Sequence, residues 1–478
     1  MQALIALLNQ DRLIEGEAAA TEMTERFPQH GFGWKLLGVI LKLQHRHGPA
    51  LRAMHRAAQL LPNDEEAHSN LGMALAEANE LSAAEIFLRH AVTLNPRHAQ
   101  ALSNLGNLLS RQGRLADAEA CQRQALEIEP NYVAALCNLG STLHDLGRID
   151  EANASYRRAL EIEPDCAQAQ WNASMSKLLT CNFAEGWEQY EWRWQTDAFL
   201  TTKRHFTQAQ WSGRQSLQGK TILLHAEQGL GDILQFCRYA KIVAAHGATV
   251  ILQVPAALKT VLSGLAGVTR LITDDDPLPA LDLHCPLLSL PLACGTTLAS
   301  IPADIPYLFA QASITAMWRE RLPATHLPRV GVAWSGNPLH RHDYKRSIAL
   351  SDFADLFDAQ SQFVCLQKEV RNSDQNVLNA HPDLVYFGDA LQDFAQTAAL
   401  IDLLDLVITV DTAVAHLAAA MGKTVWILLP FQADWRWLMQ RSDSPWYPNA
   451  RLFRQTGIND WSNVISEVQY ALENNEYR

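Results

Sequence analysis

A repeat in the first third of the chain most constrains what it can fold into. Four prolines stand 34 residues apart, and Leu-Gly pairs and two sets of alanines keep the same register. The positions are Pro62, Pro96, Pro130 and Pro164; Gly38, Gly72, Gly106 and Gly140; Ala50, Ala84, Ala118 and Ala152; and Ala57, Ala91, Ala125 and Ala159. Small residues let two antiparallel helices approach closely, leucines fill the space between them, and each proline ends the second helix. The sequence therefore predicts an α-solenoid of stacked helix pairs.

The two ends of the stack are irregular. Residues 1–30 look like an incomplete unit ending at Pro28, and residues 167–195 look like an imperfect unit rich in tryptophan, with Trp171, Trp187, Trp192 and Trp194. Terminal repeats are usually atypical because they cap the stack. We interpret the tryptophans as core that joins the repeats to the following domain, with sugar stacking as the alternative. The repeat domain and its linker are placed at 1–195.

The 34-residue period is that of tetratricopeptide repeats, which offer a concave groove for a peptide or a partner's helix. Asn70, Asn104 and Asn138, followed by Asn172, recur at this spacing on the first helix of each unit. Their amides could bind the backbone of a protein acceptor without reading its side chains. The alternative is hydrogen bonding between helices of the repeats, and the sequence leaves both open.

Strands and helices alternate after Trp211-Ser212-Gly213. Strands are predicted at 221–226, 248–254, 329–335, 362–368, 404–410 and 424–430, with weaker ones at 270–274 and 281–286. Apolar strands separated by helices predict parallel sheets covered on both faces. The proline-bearing segment 302–328 is a plausible boundary. We therefore expect two Rossmann-like subdomains, at 196–320 and 321–478, with a cleft at the carboxyl ends of their strands.

The stretch HAEQGLGDILQF, residues 225–236, carries the first candidate site. Gly229 and Gly231 are followed by Asp232, where a dinucleotide fingerprint has space and a third glycine. A carboxylate at a helix N-terminus would repel a pyrophosphate, but the helix dipole would keep it ionised. We therefore expect a tight turn that presents Asp232 to a substrate, and not an NAD loop. The alternative is that Asp232 only caps the helix.

Basic and polar residues follow the strand RVGVAW in the stretch SGNPLHRHDYKRSI, residues 335–348. A glycine turn followed by basic side chains suits an anionic ligand. The candidate donor-binding residues here are Ser335, Asn337, His340, Lys345 and Arg346; His342 and Asp343 lie in the same stretch. Its HRHD sequence could also suggest a metal, but no second ligand cluster of known spacing accompanies it, so no metal is expected.

The stretch TVDTAVAHLAAAMGK, residues 409–423, predicts a third part of the site. A strand ends at Asp411, Thr412 is a good N-cap, and a helix runs from Ala413 to Met421. The open amides of its first turn form an anion site. His416 could face the cleft or make only a local contact. Asp411 is expected to orient the loop and not to touch phosphate.

Composition excludes several classes. A net charge of -12 argues against non-specific nucleic-acid binding, which needs a basic surface. No stretch approaches the roughly 20 apolar residues of a membrane span, and the first residues lack the features of a signal peptide. Eight scattered cysteines without a CxxC pair predict reduced thiols and a cytoplasmic location. Asp274-Asp275-Asp276, followed by prolines, is expected to be a solvated turn.

Together these segments resemble bacterial tetratricopeptide-repeat glycosyltransferases, whose catalytic part has a GT-B fold and is similar to the heptosyltransferase family. In layout the chain also resembles flagellin-modifying transferases and, more distantly, O-linked N-acetylglucosamine transferase. GLGDILQF matches the family's Gly-Asp turn, which implies that Asp232 is an acid near the acceptor. AWSGNPLHRHDYKRSI resembles a donor-phosphate loop.

The resemblance extends to DTAVAHLA, which matches the family's D-[ST]-x-x-x-H-L-A segment on the nucleotide side of the donor. It implies donor contacts at Asp411, Thr412 and His416, and Ala413 stands where the family usually has glycine. The implied activity is metal-independent, inverting transfer from a nucleotide-sugar to a protein hydroxyl, such as a flagellin serine or threonine, with Asp232 as base. No cofactor besides the donor is implied, and the nucleotide and sugar stay open.

Two other functions compete with this one. The chain could be an interaction scaffold whose transferase-like domain only binds a sugar nucleotide. A sugar-nucleotide epimerase can share the two-Rossmann fold, but it would not need protein-binding repeats.

Overall fold

The computed structural model describes residues 2–10, 12–200, 203–227, 229–340, 343–358 and 360–477. The chain divides into two compact units, 1–173 and 174–478, which are described separately. The finer domain boundaries predicted at residues 195 and 320 stay predictions.

The first unit consists of helix pairs. Its helices are α1 Gln2–Asn9, α2 Leu13–Arg26, α3 Gly31–Leu43, α4 His47–Leu60, α5 Glu65–Glu77, α6 Leu81–Leu94, α7 Ala99–Arg111, α8 Leu115–Ile128, α9 Val133–Asp145 and α10 Ile149–Ile162, and α11 Ala167–Leu179 begins in it. Each repeated proline comes just after the second helix of a pair, as at Pro62 after α4 and Pro164 after α10. The predicted helical solenoid is confirmed.

The repeated glycines mark where the two helices of a pair touch. A Cβ added to Gly140 on α9 would lie 2.4 Å from the ring of Tyr156 on α10, and one added to Gly72 on α5 would lie 2.6 Å from Leu88 on α6. The alanines of the second helices, such as Ala84, are buried beside these contacts. The repeat therefore persists because a larger side chain at these positions would separate the paired helices.

The second unit begins within α11 and continues with α12 Phe183–Tyr190, a 3₁₀ turn Glu191–Gln195 and α13 Asp197–Leu200. A first sheet follows, with β1 Ala209–Gln210, β2 Thr221–His225, β3 Thr249–Gln253, β4 Arg270–Ile272 and β5 Leu283–Pro286, and with helices α14 Leu230–Phe236, α15 Tyr239–Ala245, α16 Ala256–Lys259 and α17 Leu290–Ala293. All its strand pairs are parallel, in the order β1-β5-β2-β3-β4.

A second parallel sheet follows α18 Ala312–Arg321. Its strands are β6 Arg329–Ala333, β7 Gln362–Cys365, β8 Leu406–Val410, β9 Val425–Leu429 and β10 Ala450–Arg454, in the order β10-β9-β8-β6-β7. The helices are α19 Asp343–Arg346, α20 Leu350–Phe353, α21 Gln375–Ala380, α22 Phe394–Asp402, α23 Ala413–Ala420 and α24 Ser462–Glu473. Apolar side chains from α20, α21 and α24 cover one face of the sheet, among them Phe353, Leu378 and Val468. Parallel α/β structure in this region is thereby confirmed; β1 and β10 were not predicted.

Strand order decides where a ligand can enter. In the second sheet β6 lies between β7 and β8. The chain therefore continues from β6 to β7 on one side and from β8 to β9 on the other side, and the direction of winding reverses between β6 and β8. In the first sheet β2 lies between β5 and β3. Ligands of open parallel sheets bind outside the carboxyl ends of the strands at such switch points. The connections after β2, β6 and β8 are the three segments that the sequence singled out.

Candidate functional site

The segments after β2 and β8 are in direct contact. A Cβ added to Gly231 on α14 would lie 2.8 Å from Cδ2 of His416 on α23 and 3.6 Å from Cα of Ala413. The structure therefore brings the Gly-Asp turn of the first sheet against the first turns of the helix that follows β8.

Asp232 lies in the first turn of α14 but does not cap it. The N-cap is Gly229, whose φ of 23° belongs to the positive region that favours glycine. A Cβ at Gly229 would also lie 2.7 Å from Oδ2 of Asp232, so glycine leaves room for the carboxylate. The side chain of Asp232 keeps 26% of its exposure.

Arg436, which the sequence analysis missed, holds the other oxygen of this carboxylate. Its Nη2 donates to Oδ1 of Asp232 at 2.5 Å, its Nη1 to Asp434 at 2.8 Å, and its Nε to Gln235 at 2.8 Å. Its guanidinium carbon lies 4.4 Å from the ring centroid of Trp435. Arg436 is thus buried between two carboxylates, one after β2 and one after β9.

Opposing effects set the protonation of Asp232. Burial raises the pKa of its carboxyl above the usual value, and the Arg436 guanidinium opposes this rise. The neighbouring Asp434 carboxylate raises the pKa further, while His340 and Arg346 lower it. Because an adjacent cation favours the charged form, Arg436 is the main group that favours ionisation of Asp232.

His416 is buried and makes tertiary contacts. Its Nδ1 and the Tyr447 hydroxyl lie 3.0 Å apart, and its ring stacks on Trp437 with the centroids 5.5 Å apart. Burial, with Arg436 nearby, lowers its pKa well below the usual value, so the ring is neutral. These partners are distant in sequence, so the contacts are structural but not the local helix contact considered as the alternative; the donor contact of His416 stays a prediction.

The start of α23 differs in one detail from the prediction. Thr412 occupies the N-cap position, but its side chain makes no capping hydrogen bond, and its hydroxyl lies 3.3 Å from that of Thr409. The Asp411 carbonyl accepts a hydrogen bond from Nη1 of Arg346 at 2.9 Å. The amides of Ala413 and its neighbours begin the helix, so they have no partner within it.

Asp411 itself is half-buried beside this helix start. Burial and the Asp434 carboxylate raise the pKa of Asp411 to about 6, against the effect of Arg346 and Arg436. Arg346 therefore interacts with both the backbone carbonyl and the side-chain carboxylate of Asp411.

An internal network holds the segment after β6. Arg371 donates to the buried Asp343, and Ser347 bridges Oδ1 of Asp343 and the amide of Gly336 at 3.0 Å each. A Cβ at Gly336 would lie 2.9 Å from Nη2 of Arg346, so this turn packs directly on the guanidinium.

The other predicted residues of this segment differ in exposure. Ser335 is buried, and its hydroxyl accepts from Gln367 at 3.0 Å, which makes it a support of the turn. Asn337 and His340 are exposed, and Lys345 is half-buried with its Nζ 5.9 Å from the Tyr344 ring centroid. His342 lies outside the described residues.

The sequence analysis also missed a buried ion pair that supports the turn after β2. Arg193 is fully buried and forms two hydrogen bonds with Glu227, of 3.0 and 2.9 Å. It also contacts Glu191 and Ser289. The pKa of Glu227 is raised by burial and lowered by Arg193. The only sequence signal was an acid inside HAEQGLGD and an arginine inside the tryptophan-rich WRW stretch, and nothing in the sequence pairs them.

The tryptophan-rich segment also contributes to this support. Trp187 is buried, its indole donates to the Thr296 carbonyl at 3.0 Å, and its ring lies 5.2 Å from that of Trp435. Within the second unit Trp187 is therefore core, as expected.

The asparagines of the repeats make contacts between units. Asn104 donates to the Ser69 hydroxyl at 3.0 Å and Asn138 to Ser103 at 3.1 Å, and both are half-buried, like Asn70. These bonds agree with the helix–helix alternative for two of the three, while each amide has further hydrogen-bonding groups. Their contact with an acceptor stays a prediction.

The aspartate triplet forms a turn. Asp276 accepts from the amide and hydroxyl of Thr273 at 2.8 and 2.9 Å, and the side chain of Asp274 is 70% exposed. Across the described ranges, no group of three acidic, histidine or cysteine side chains could hold a metal ion. No helix in the part of the chain that the structure describes has the length and apolar character to cross a membrane.

Comparison with known proteins finds the same two parts. Residues 65–98 and 97–164 match tetratricopeptide-repeat families, and residues 391–428 match glycosyltransferase family 9 (heptosyltransferase). Protein FlbA of Caulobacter vibrioides is 25% identical over 317 residues, which is 60% of this chain and 52% of FlbA, so the match spans about half of that relative.

Solved structures are also similar to part of the chain. The APC/C hetero-tetramer Cut9-Hcn1 covers 41% of it at 17% identity, with 39% of that chain aligned and a TM-score of 0.38. A thermophilic tetratricopeptide-repeat protein of Thermus thermophilus covers 35% at 24% identity, with 92% of that chain aligned and a TM-score of 0.33.

The family matches indicate the class of the protein. The N-terminal part consists of tetratricopeptide repeats. The glycosyltransferase match covers α22, β8, α23 and most of β9, the elements that place Asp411 and His416 at the site. Together they support a glycosyltransferase that carries tetratricopeptide repeats.

Proposed function

We propose that the protein moves a sugar from a nucleotide-sugar to a hydroxyl group of a protein acceptor that the repeats recruit. The two parallel sheets are the Rossmann-like halves of a GT-B fold, and the reaction is metal-independent and inverting. One observation carries the proposal: the turn at residues 229–232 lies against the start of α23. Helix α23 belongs to the segment that matches glycosyltransferase family 9.

Positive charge for the donor comes from the second sheet. Arg346 lies beside the first turn of α23, whose backbone amides have no partner within the helix. Cations and helix N-termini stabilise negative charge on a leaving phosphate as it develops in the transition state. Lys345, on the same short helix as Arg346, adds a second cation.

Asp232 supplies the base. The acceptor hydroxyl loses its proton to the carboxylate while its oxygen bonds to the anomeric carbon. The bond from that carbon to the donor phosphate breaks, and its electron pair leaves with the nucleotide. Because a carboxylate is a weak base for an alcohol, the proton moves late, and such a base contributes about 10²–10⁴-fold to the rate.

The repeats serve acceptor recruitment. Asn70, Asn104 and Asn138 are half-buried and recur on equivalent helices, so their remaining amide groups could bind an extended backbone. The acceptor class that fits this layout is a serine or threonine hydroxyl of a protein such as flagellin.

A scaffold that binds a sugar nucleotide without transfer is the second candidate. One observation favours it: Arg436 already occupies one oxygen of Asp232. The two candidates are distinguished by measuring both the binding of a nucleotide-sugar and the release of its nucleotide.

Thermal unfolding of the full chain with uridine, adenosine, guanosine and cytidine nucleotides tests the donor site. A ligand that binds only the folded state raises the melting temperature by mass action. We expect one carrier to do so, and Arg346→Ala to weaken the shift, with a smaller effect of Lys345→Ala. Lys220→Ala, which removes an exposed lysine outside the site, is the control. The proposed donor site is wrong if no nucleotide raises the melting temperature of the wild type. It is also wrong if the nucleotide raises the melting temperature of Arg346→Ala as much as that of the wild type.

A further inference from the structure

We infer that Arg436 is a positioning residue for the transfer reaction: it holds the Asp232 carboxylate by Oδ1 and leaves Oδ2 to take the acceptor proton. The inference rests on the proposed function and adds to it a residue from the segment after β9, outside the stretch that matches glycosyltransferase family 9.

The guanidinium is well suited to hold a side chain still. Its three nitrogens bind Asp232, Asp434 and Gln235, and the Asp434 carboxylate also accepts the backbone amide of Arg436 at 3.0 Å. Trp435 stacks against it, with 10% of the Arg436 side chain exposed. A planar fork fixed at each end constrains the carboxylate that it binds.

The free oxygen has a defined place. Oδ2 of Asp232 lies on the side of Gly229, where even a methyl group would approach to 2.7 Å. The Asp232 side chain is 26% exposed and Arg436 binds only its Oδ1, so Oδ2 is left for an acceptor hydroxyl. A carboxylate held by one oxygen presents the other in a constant direction, as a proton acceptor requires.

Asp434 keeps the Arg436 cation paired throughout the reaction. Before transfer the Arg436 cation faces two carboxylates, Asp232 and Asp434. When Asp232 takes the proton from the acceptor oxygen and becomes neutral, Arg436 stays paired with Asp434. No unpaired buried charge arises at either stage, which limits the electrostatic cost of proton uptake.

Other charged or titratable groups also face Asp232. They are Glu227 on its own turn, Tyr190 on α12, and His340 and Arg346 in the segment after β6. His416, on the packed helix α23, is neutral. Of the cations, Arg436 alone among the described residues forms an ion pair with Asp232, so its removal changes the base most.

The experiment measures nucleotide release by the full chain against pH. The variants are Arg436→Gln, Arg436→Lys, Asp232→Asn and the double variant of Arg436→Gln with Asp232→Asn. Arg441→Gln is the matched control, because it breaks another arginine–aspartate pair of the same segment, with Asp443 at the surface. Melting temperatures check that each variant folds.

We expect Arg436→Gln to lower kcat at pH 7 by at least about tenfold, with little change in the KM for the donor. The acid limb of its pH profile should move upward by about one to three units, because an adjacent cation lowers a carboxyl pKa by that amount. Arg436→Lys should recover the position of the limb but only part of kcat, since an ammonium lacks the fork. In the Asp232→Asn background, Arg436→Gln should change little more.

The outcomes separate the two claims. If the wild type is active but the pH profile of Arg436→Gln is not shifted, the inference is overturned and the proposed function is left intact. The same holds if Arg436→Gln lowers kcat equally in the wild type and in the Asp232→Asn background. A wild type that releases no nucleotide from any donor overturns the proposed function and the inference with it. If Arg436→Gln does not fold, Arg436→Lys decides: a kcat equal to wild type overturns the positioning role.

Discussion

Gly231→Ala tests the contact that brings the two sheets' loops together. The added methyl would lie 2.8 Å from Cδ2 and 3.4 Å from Nε2 of His416, whereas carbon atoms prefer about 3.5–4.0 Å. The imidazole cannot simply rotate away, because Tyr447 and Trp437 hold it. Either α14 or α23 must therefore move.

The magnitude follows from two opposing effects. Overpacking a well-packed site costs about 1–3 kcal/mol. Alanine in a helix regains up to about 1 kcal/mol relative to glycine, and Gly231 has helical backbone. We expect a net loss of about 1–2 kcal/mol, or about 2–4 °C in melting temperature for each kcal/mol.

Function should suffer more than stability, because the displaced helices carry Asp232 and the amides of Ala413 and Val414. The assay is thermal unfolding with and without the nucleotide that stabilises the wild type. Gly264→Ala is the control, since a Cβ there meets nothing within 4 Å. A Gly231→Ala protein that melts and binds nucleotide like the Gly264→Ala protein would show that α14 and α23 are not in close contact.

Two further predictions concern the repeats and the donor side. Gly140→Ala should lower the melting temperature of the repeats, because its Cβ would lie 2.4 Å from Tyr156. Gly48→Ala on α4 should raise it slightly, because its Cβ would meet only Nη1 of Arg52, at an ordinary contact distance of 3.8 Å; equal effects would contradict the packing. Asp411→Asn should be increasingly more stable than wild type as pH rises from 3.8 to about 6, and its advantage should then stay constant. The reason is that the wild type loses stability over this range, where the unfolded chain releases the Asp411 proton and the folded protein keeps it. Urea unfolding against pH checks this, and parallel curves would contradict the raised pKa.

The fold was predictable where a pattern is local. The repeat follows from the spacing of residues such as Gly72 and Pro96, and all eight predicted strands exist, because apolar runs between helices are typical of parallel strands. β1 has only two residues, and β10 is interrupted by Arg451 and ends at Arg454, so neither gives the continuous apolar run that marks a buried strand.

The site was predictable in its segments but not in its partners. Asp232 and Asp411 were singled out because each follows a strand end beside glycine or a helix start; their roles stay predictions. Arg436 is 204 residues from Asp232, and no sequence spacing reports a contact that depends on the packing of two sheets. Thr412 occupies the expected N-cap position, but its side chain makes no capping hydrogen bond and lies near the Thr409 hydroxyl instead.

The most direct test of the account is the rate of nucleotide release from a panel of nucleotide-sugars, with a flagellin-type acceptor, by the wild type and by Asp232→Asn. We predict that the wild type turns over at least one donor, and that Asp232→Asn binds the same donor but releases its nucleotide about 10²–10⁴ times more slowly. Equal rates in the two proteins, or no release from any donor, would contradict the claim that Asp232 is the base of a glycosyl transfer at this site.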